Sequence, residues 1–144
     1  MGNLPIHWIL ARTYCQATEE EARVVSALEA SVSGGSGLRH AFDGQYGNAI
    51  VILERRLESS AEIRATWERW ATAGLLGALQ DQVDARVDDD AVIHFRIDKQ
   101  KAFQGTLALG REGDTIDIQV KVKAYPARPE EIRRVARRLV AGGL

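Results

Sequence analysis

The sequence predicts an α+β fold, a two-layer sandwich of about three helices on a five-stranded, largely antiparallel or mixed sheet. Three observations lead there. Val92, His94 and Arg96 alternate with Ile93, Phe95 and Ile97, and Ile116, Ile118, Val120 and Val122 alternate with Asp117, Gln119, Lys121 and Lys123. This period of two gives each strand one apolar and one polar face. Apolar stripes at helical spacing recur three times, at Ala22, Val25, Leu28 and Val32, at Ile63, Trp67 and Trp70, and at Ile132, Val135, Ala136, Leu139 and Val140. The element order is strand, helix, strand, helix, three strands, helix, and three helices lying on one side leave the other sheet face partly open.

Residues 6–15, with Trp8, Ile9, Tyr14 and several small residues, read as a first strand apolar on both faces and therefore central. Thr18 ahead of Glu19, Glu20 and Glu21 is a capping-box pattern that starts the first helix, and its acidic turn suits the helix dipole. Residues 33–44 hold four of the thirteen glycines and read as a long flexible loop, without the Gly-Lys-Ser/Thr ending of a phosphate cradle. Gly47 and Asn48 form a tight entry into a second strand over 49–57, where Ile50, Val51, Ile52 and Leu53 are consecutive. Ser59 and Ser60 are candidate caps for a helix over about 61–84, with Trp67 and Trp70 in the core and a break or bend near Gly74 and Gly77.

Asp88, Asp89 and Asp90 make an acidic turn before the strand at 91–97, without the Gly and distal Glu of a calcium loop. A polar cluster, Asp98, Lys99, Gln100 and Lys101, follows at a strand-to-strand connection, and Phe95, Ile97 and Phe103 around it are assigned to the core. A strand at 106–109 then turns through 110–114 into the strand over 116–123. Tyr125 and Pro126 end that strand, and Pro129 with Glu130 and Glu131 opens the final helix, whose outer face carries Arg133, Arg134, Arg137 and Arg138.

At 144 residues the length predicts one domain, spanning residues 1–144. No apolar run approaches the roughly 18 residues of a membrane span, no secretory leader is visible, and the one cysteine excludes an internal disulfide, so a cytoplasmic location is expected. The net charge of −1 is unevenly spread. Residues 1–90 hold 8 basic and 14 acidic residues, net −6, and residues 91–144 hold 11 and 6, net +5. Such asymmetry points to a polyanion-facing side, or to two halves that attract each other.

No catalytic constellation is present. His7, His40 and His94 are far apart in sequence, no cysteine pair exists for zinc, and Cys15 stands in no activated-thiol signature. Cofactors are expected to be absent. What the sequence does offer is a set of basic and flat polar groups. Arg96 shares a strand face with His94, Lys121 shares one with Lys123, Lys99 and Gln100 lie at a nearby connection, and Tyr125 and Arg128 stand just beyond. If these strands pair as a meander, the groups form one basic patch with an aromatic element, suited to phosphate contacts and base stacking.

Several motifs in order carry a family likeness: Ile6-His7-Trp8, Ala17-Thr18-Glu19-Glu20, Tyr46-Gly47-Asn48, Arg96-Ile97-Asp98-Lys99-Gln100, Ala102-Phe103-Gln104-Gly105 and Lys121-Val122-Lys123-Ala124-Tyr125-Pro126. Together, over about residues 5–140, they resemble the archaeal RNA-binding domain family described as a predicted exosome subunit. The resemblance implies a fold similar to a large-subunit ribosomal protein, an archaeal cytoplasmic origin and RNA binding. The chain departs from the family pattern at Gln45-Tyr46, where a His pair is common, at Ala49, where Pro is frequent, and at Ile97, where an aromatic is usual. The expected function is therefore non-catalytic RNA binding through Arg96, Lys99, Gln100, Lys121, Lys123, Tyr125, Arg128 and Asn48. RNA is the expected partner, with exosome or other RNA-processing proteins and a homodimer as further partners. The alternatives are an adaptor that docks on an RNA-processing complex without touching RNA, and a metal-assisted nuclease.

Overall fold

The computed structural model describes residues 3–43, 49–111 and 113–142. Its centre is β1 (Ile6–Cys15), which pairs antiparallel with β3 (Ala49–Leu57) on one side and β5 (Thr115–Val122) on the other. With β2 (Ser36–Asp43) and β4 (Val92–Asp98), these form one antiparallel sheet in the order β2-β3-β1-β5-β4. The helices are α1 (Glu21–Ser31), α2 (Ser60–Thr72), α3 (Leu75–Leu79), α4 (Val83–Arg86), α5 (Lys99–Phe103) and α6 (Pro129–Val140). The α+β sandwich and the number of strands match the prediction, four of the five strands fall where they were expected, and the three long helices are α1, α2 and α6.

One sheet face is buried. Ile9, Ala11, Leu53, Leu57, Ile93, Phe95, Ile97, Ile116, Ile118 and Val120 are all at most 3% exposed. A register shift between Ile6 and Trp8 changes the phase of β1, so both Ile6 and Ile9 point inward and Trp8 turns to the opposite face. Trp70 is fully buried, packs edge-on against Phe95 at 5.3 Å, and its Nε1 donates to the Ser31 carbonyl at 2.7 Å. Trp67 donates likewise to the Leu139 carbonyl, so both tryptophans lie in the core with their N–H groups satisfied.

The structure departs from the sequence reading at several elements. The stretch read as a loop over 33–44 is mostly β2, paired with β3 from Ser36↔Arg56 to Asp43↔Ala49. All eight of its residues are exposed, so neither face needs apolar alternation and the strand leaves no periodic signal. The strand read at 106–109 reduces to one bridge, Ile97↔Leu109. The capping pattern at Thr18 is not used: Glu20 is the N-cap of α1 and makes no side-chain cap bond. The break expected near Gly74 and Gly77 falls at Gly74, whose φ of 82° is left-handed, and the chain continues as α3 and α4. Phe103, assigned to the core, is 41% exposed and lies under the Arg23 guanidinium at 5.2 Å.

Candidate nucleic-acid interface

Asp98 ends β4 and caps α5, its Oδ1 accepting from the Lys101 N–H at 2.9 Å. The next residue, Lys99, was expected at a solvent-facing connection but is only 4% exposed. Its Nζ donates to the Tyr14 carbonyl at 2.8 Å and lies 3.0 Å from the Glu19 carboxylate and 2.6 Å from that of Asp114. Three donors therefore meet three acceptors, and the ammonium holds the end of β1, the approach to α1 and the start of β5 together. Burial pushes the Asp114 carboxyl up, but the hydrogen bonds from Lys99 and Gln100 and the Lys99 charge outweigh it and hold the group below its ordinary value. Gln100 is exposed and donates to Asp114 at 2.6 Å.

The remaining predicted residues do not join them. Asp98↔Thr115 and Val92↔Lys121 mark opposite ends of the β4–β5 pair, six residues apart, a distance of about 20 Å at strand spacing. Lys121 donates to the Asp90 carbonyl and shares a groove of about 360 Å³ with Tyr125, Asp89 and Asp90. Tyr125 is 87% exposed, and Lys123 and Arg128 are also exposed at that end. Arg96 stands between the two groups, 3.3 Å from Asp117. Asn48 lies outside the described residues. The single convergent patch expected from the sequence is thus two separated ends, and Lys99 faces inward at one of them.

The registers instead bring together side chains on the open sheet face. Leu38, Glu54, Arg12, Asp117 and Arg96 stand in one row across all five strands, with Arg12 bound to Glu54 at 2.8 Å. Arg56, Leu10, Gln119 and His94 form the next row, and Trp8 pairs with Lys121 beyond it. The Arg56 guanidinium lies over the Trp8 ring at 4.7 Å, and Tyr14 and Phe42 are 43% and 46% exposed on the same face. Arg12, Arg56, Arg96 and Lys121 outnumber Glu54, Asp117 and the helix-capping Asp98 among the strand residues of this face. Sequence reasoning missed Trp8, Arg12 and Arg56 because strand pairing across distant segments, rather than local spacing, makes them neighbours.

Cys15, the one cysteine, is buried. Burial pushes the Cys15 thiol up, and the Glu19 and Glu21 carboxylates add to that, the opposite of an activated nucleophile. Among the described residues no three His, Cys, Asp or Glu side chains gather into a group that could hold a metal, and no helix is long and apolar enough to cross a membrane.

The fold and this face define a class: an α+β protein with helices on one side of an antiparallel sheet and a mixed basic and aromatic surface on the other. A family model described as RNA binding matches residues 8–122, and the chain belongs to that family. It is 29% identical over 152 residues to the RNA-binding protein PAB1135 of Pyrococcus abyssi, covering 98% of this chain and 97% of that protein. The structure of Mth689, a DUF54 protein from Methanothermobacter thermautotrophicus, superimposes with a TM-score of 0.81 at 31% identity, over 94% of this chain and 98% of the other. SSO0741 from Sulfolobus solfataricus shares the fold at 19% identity, with a TM-score of 0.70 over 95% and 99% of the two chains.

Proposed function

We propose that the chain is a single-domain, non-catalytic RNA-binding protein of the cytoplasm that serves archaeal-type RNA processing, in association with an exosome or a similar assembly. RNA lies on the open sheet face. The observation that carries this reading is the Arg56–Trp8 stack beside Lys121, which sets a flat ring and two cations on one exposed surface. Exposed aromatic rings and guanidinium planes accept unstacked bases, and neighbouring cations neutralise phosphates. Lys99 supports the surface from beneath instead of touching RNA, while Arg96, Lys121, Lys123, Tyr125 and Arg128 remain available to it. The family match over 8–122 supports the partner class.

The test is titration of a fluorescently labelled single-stranded RNA over a salt series. Binding should weaken with salt at a slope of roughly −0.7 per phosphate neutralised, and Arg56→Ala with Lys121→Ala should weaken it further. No affinity at low salt sinks the reading.

A second reading has its own support in β2. This edge strand is exposed along its length, with Leu38 49% and Phe42 46% exposed, and an open edge of this kind accepts another strand. Under it the chain is an adaptor or homodimer that pairs through β2. A dimer in sedimentation that Leu38→Ser with Phe42→Ser converts to monomer, in a chain without RNA affinity, would favour it.

A further inference from the structure

The outer edge of β4 is treated differently from that of β2. Two short segments cap it, one through the bridge Val87↔Ile93 and the other through Ile97↔Leu109, with the Gly110 N–H donating to the Arg96 carbonyl at 2.8 Å. Between the caps remains a groove of about 790 Å³. Arg86 lines it from α4, Arg96 from β4 and Arg111 from the connection leading to β5, so three successive segments each contribute one arginine. Asp117 is the one carboxylate among the described lining residues.

We propose that this notch binds phosphate, taking the backbone of the RNA strand whose bases lie on the open face. The inference rests on the RNA-binding reading and names where the backbone runs. Among the described lining residues, three cations against one carboxylate leave a net positive charge of two. The Arg96–Asp117 contact at 3.3 Å joins side chains that are 52% and 46% exposed, and an exposed ion pair of this kind contributes little and yields readily to a stronger anion. Arg86 donates to Gln82 Oε1 at 2.9 Å, a bond one turn away in the chain that aims the guanidinium and uses one of its five donors. Planar forks match the paired non-bridging oxygens of a phosphodiester better than they match a single acceptor. Position supports the same ligand. Arg96 and His94 belong to the rows that carry Arg12 and Leu10 across the open face, so a strand stacked on that face has its edge at the notch. The arginines of α6 are less suited: Arg134 is bound to Glu131, and Arg137 to Asp84 at 2.8 Å.

The experiment titrates a labelled 12-nucleotide single-stranded RNA against the full chain, Arg86→Ala with Arg111→Ala, and Arg134→Ala with Arg137→Ala as a control on α6. The notch variant should bind more weakly, and its salt slope should shrink by roughly 1.4, the sum for two phosphates; the α6 variant should match the unmodified chain. Arg111→Ala alone, at an exposed position, should shrink the slope by roughly 0.7 and serves if the double variant fails to fold. Unchanged affinity and slope in the notch variants, with an unmodified chain that binds RNA, overturn the notch and leave the RNA reading standing. If the unmodified chain binds no RNA, that reading fails first. The notch is then judged with inorganic pyrophosphate: shifts of the Arg86, Arg96 and Arg111 Nε–H resonances support it, and their absence overturns it.

Discussion

Lys99 shows how one residue changes meaning between sequence and structure. In a run of four polar residues it looks solvated, because the groups that bury it, Tyr14, Glu19 and Asp114, are remote in the chain. No periodicity reports an ion cluster of that kind. Replacing the lysine with methionine keeps most of its volume but takes the ammonium away from two carboxylates and a carbonyl, leaving Asp114 with Gln100 and Glu19 with the Gln16 N–H. Removing one partner of a fully buried pair costs about 3–5 kcal/mol. Glu19 and Asp114 are 21% and 43% exposed, so about 2–3 kcal/mol is expected here, read as a lower urea midpoint for Lys99→Met. RNA affinity at saturating stability should follow the folded fraction only. The pH dependence has a definite sign: the Asp114 carboxyl is depressed in the folded chain, so its contribution is complete above the unfolded value near 3.9 and is lost as pH falls through the lower folded value. Asp114→Asn should therefore lower stability at pH 7 while flattening the loss of stability below about pH 4, measured by urea unfolding across pH.

At the scale of elements, legibility follows burial. The strands β4 and β5 and the stripes of α1, α2 and α6 each set an apolar face against a polar one, β1 and β3 carry nearly continuous apolar runs, and all seven were readable. β2 buries neither face, so only its pairing with β3 defines it. Its anchor is a helix cap. Ser59 Oγ accepts from the Glu62 N–H at 3.1 Å, and the Glu62 carboxylate in turn accepts from Ser59 Oγ and, at 2.6 Å, from the Gly35 N–H at the turn into β2. A Cβ on Gly35 would meet Leu57 Cδ1 at 2.9 Å and the Arg56 carbonyl at 3.0 Å, and its φ of 95° also favours glycine. Ser59→Ala should cost about 1 kcal/mol through the lost cap. Glu62→Ala should add a local effect that the first variant lacks: faster amide exchange at Gly35 and through β2, with α6 unchanged, observed by hydrogen-exchange NMR. Uniform acceleration across the chain would instead mean that the carboxylate serves global stability alone.

Across the whole molecule, the charge asymmetry resolves into two parts. Some of the positive final third pairs with the acidic first part, Lys99 with Glu19 in the interior and Arg137 with Asp84 at the surface. Much of the rest stays outside, on α6 and on β4, β5 and their connections, and the strand part borders a face whose rings include Trp8, Tyr14 and Phe42. The candidate site was partly legible for that reason: Arg96 and Lys121 were found from strand alternation, while Trp8, Arg12 and Arg56 required the sheet order that puts β3 and β5 on either side of β1. This arrangement supplies its own optical probe. Of the three tryptophans, Trp67 and Trp70 are 5% and 0% exposed and hydrogen-bonded in the core, whereas Trp8 is half-buried under Arg56 on the open face. A base that displaces or joins the Arg56 stack must perturb Trp8 and leave the buried pair in place. Single-stranded RNA should therefore quench tryptophan emission in proportion to occupancy, and Trp8→Phe should abolish the quenching while retaining the spectrum of the core pair. Phenylalanine keeps a stacking ring, so the affinity of that variant should fall only modestly. Quenching that survives in Trp8→Phe would place RNA near the helix layer and remove the open face as its site.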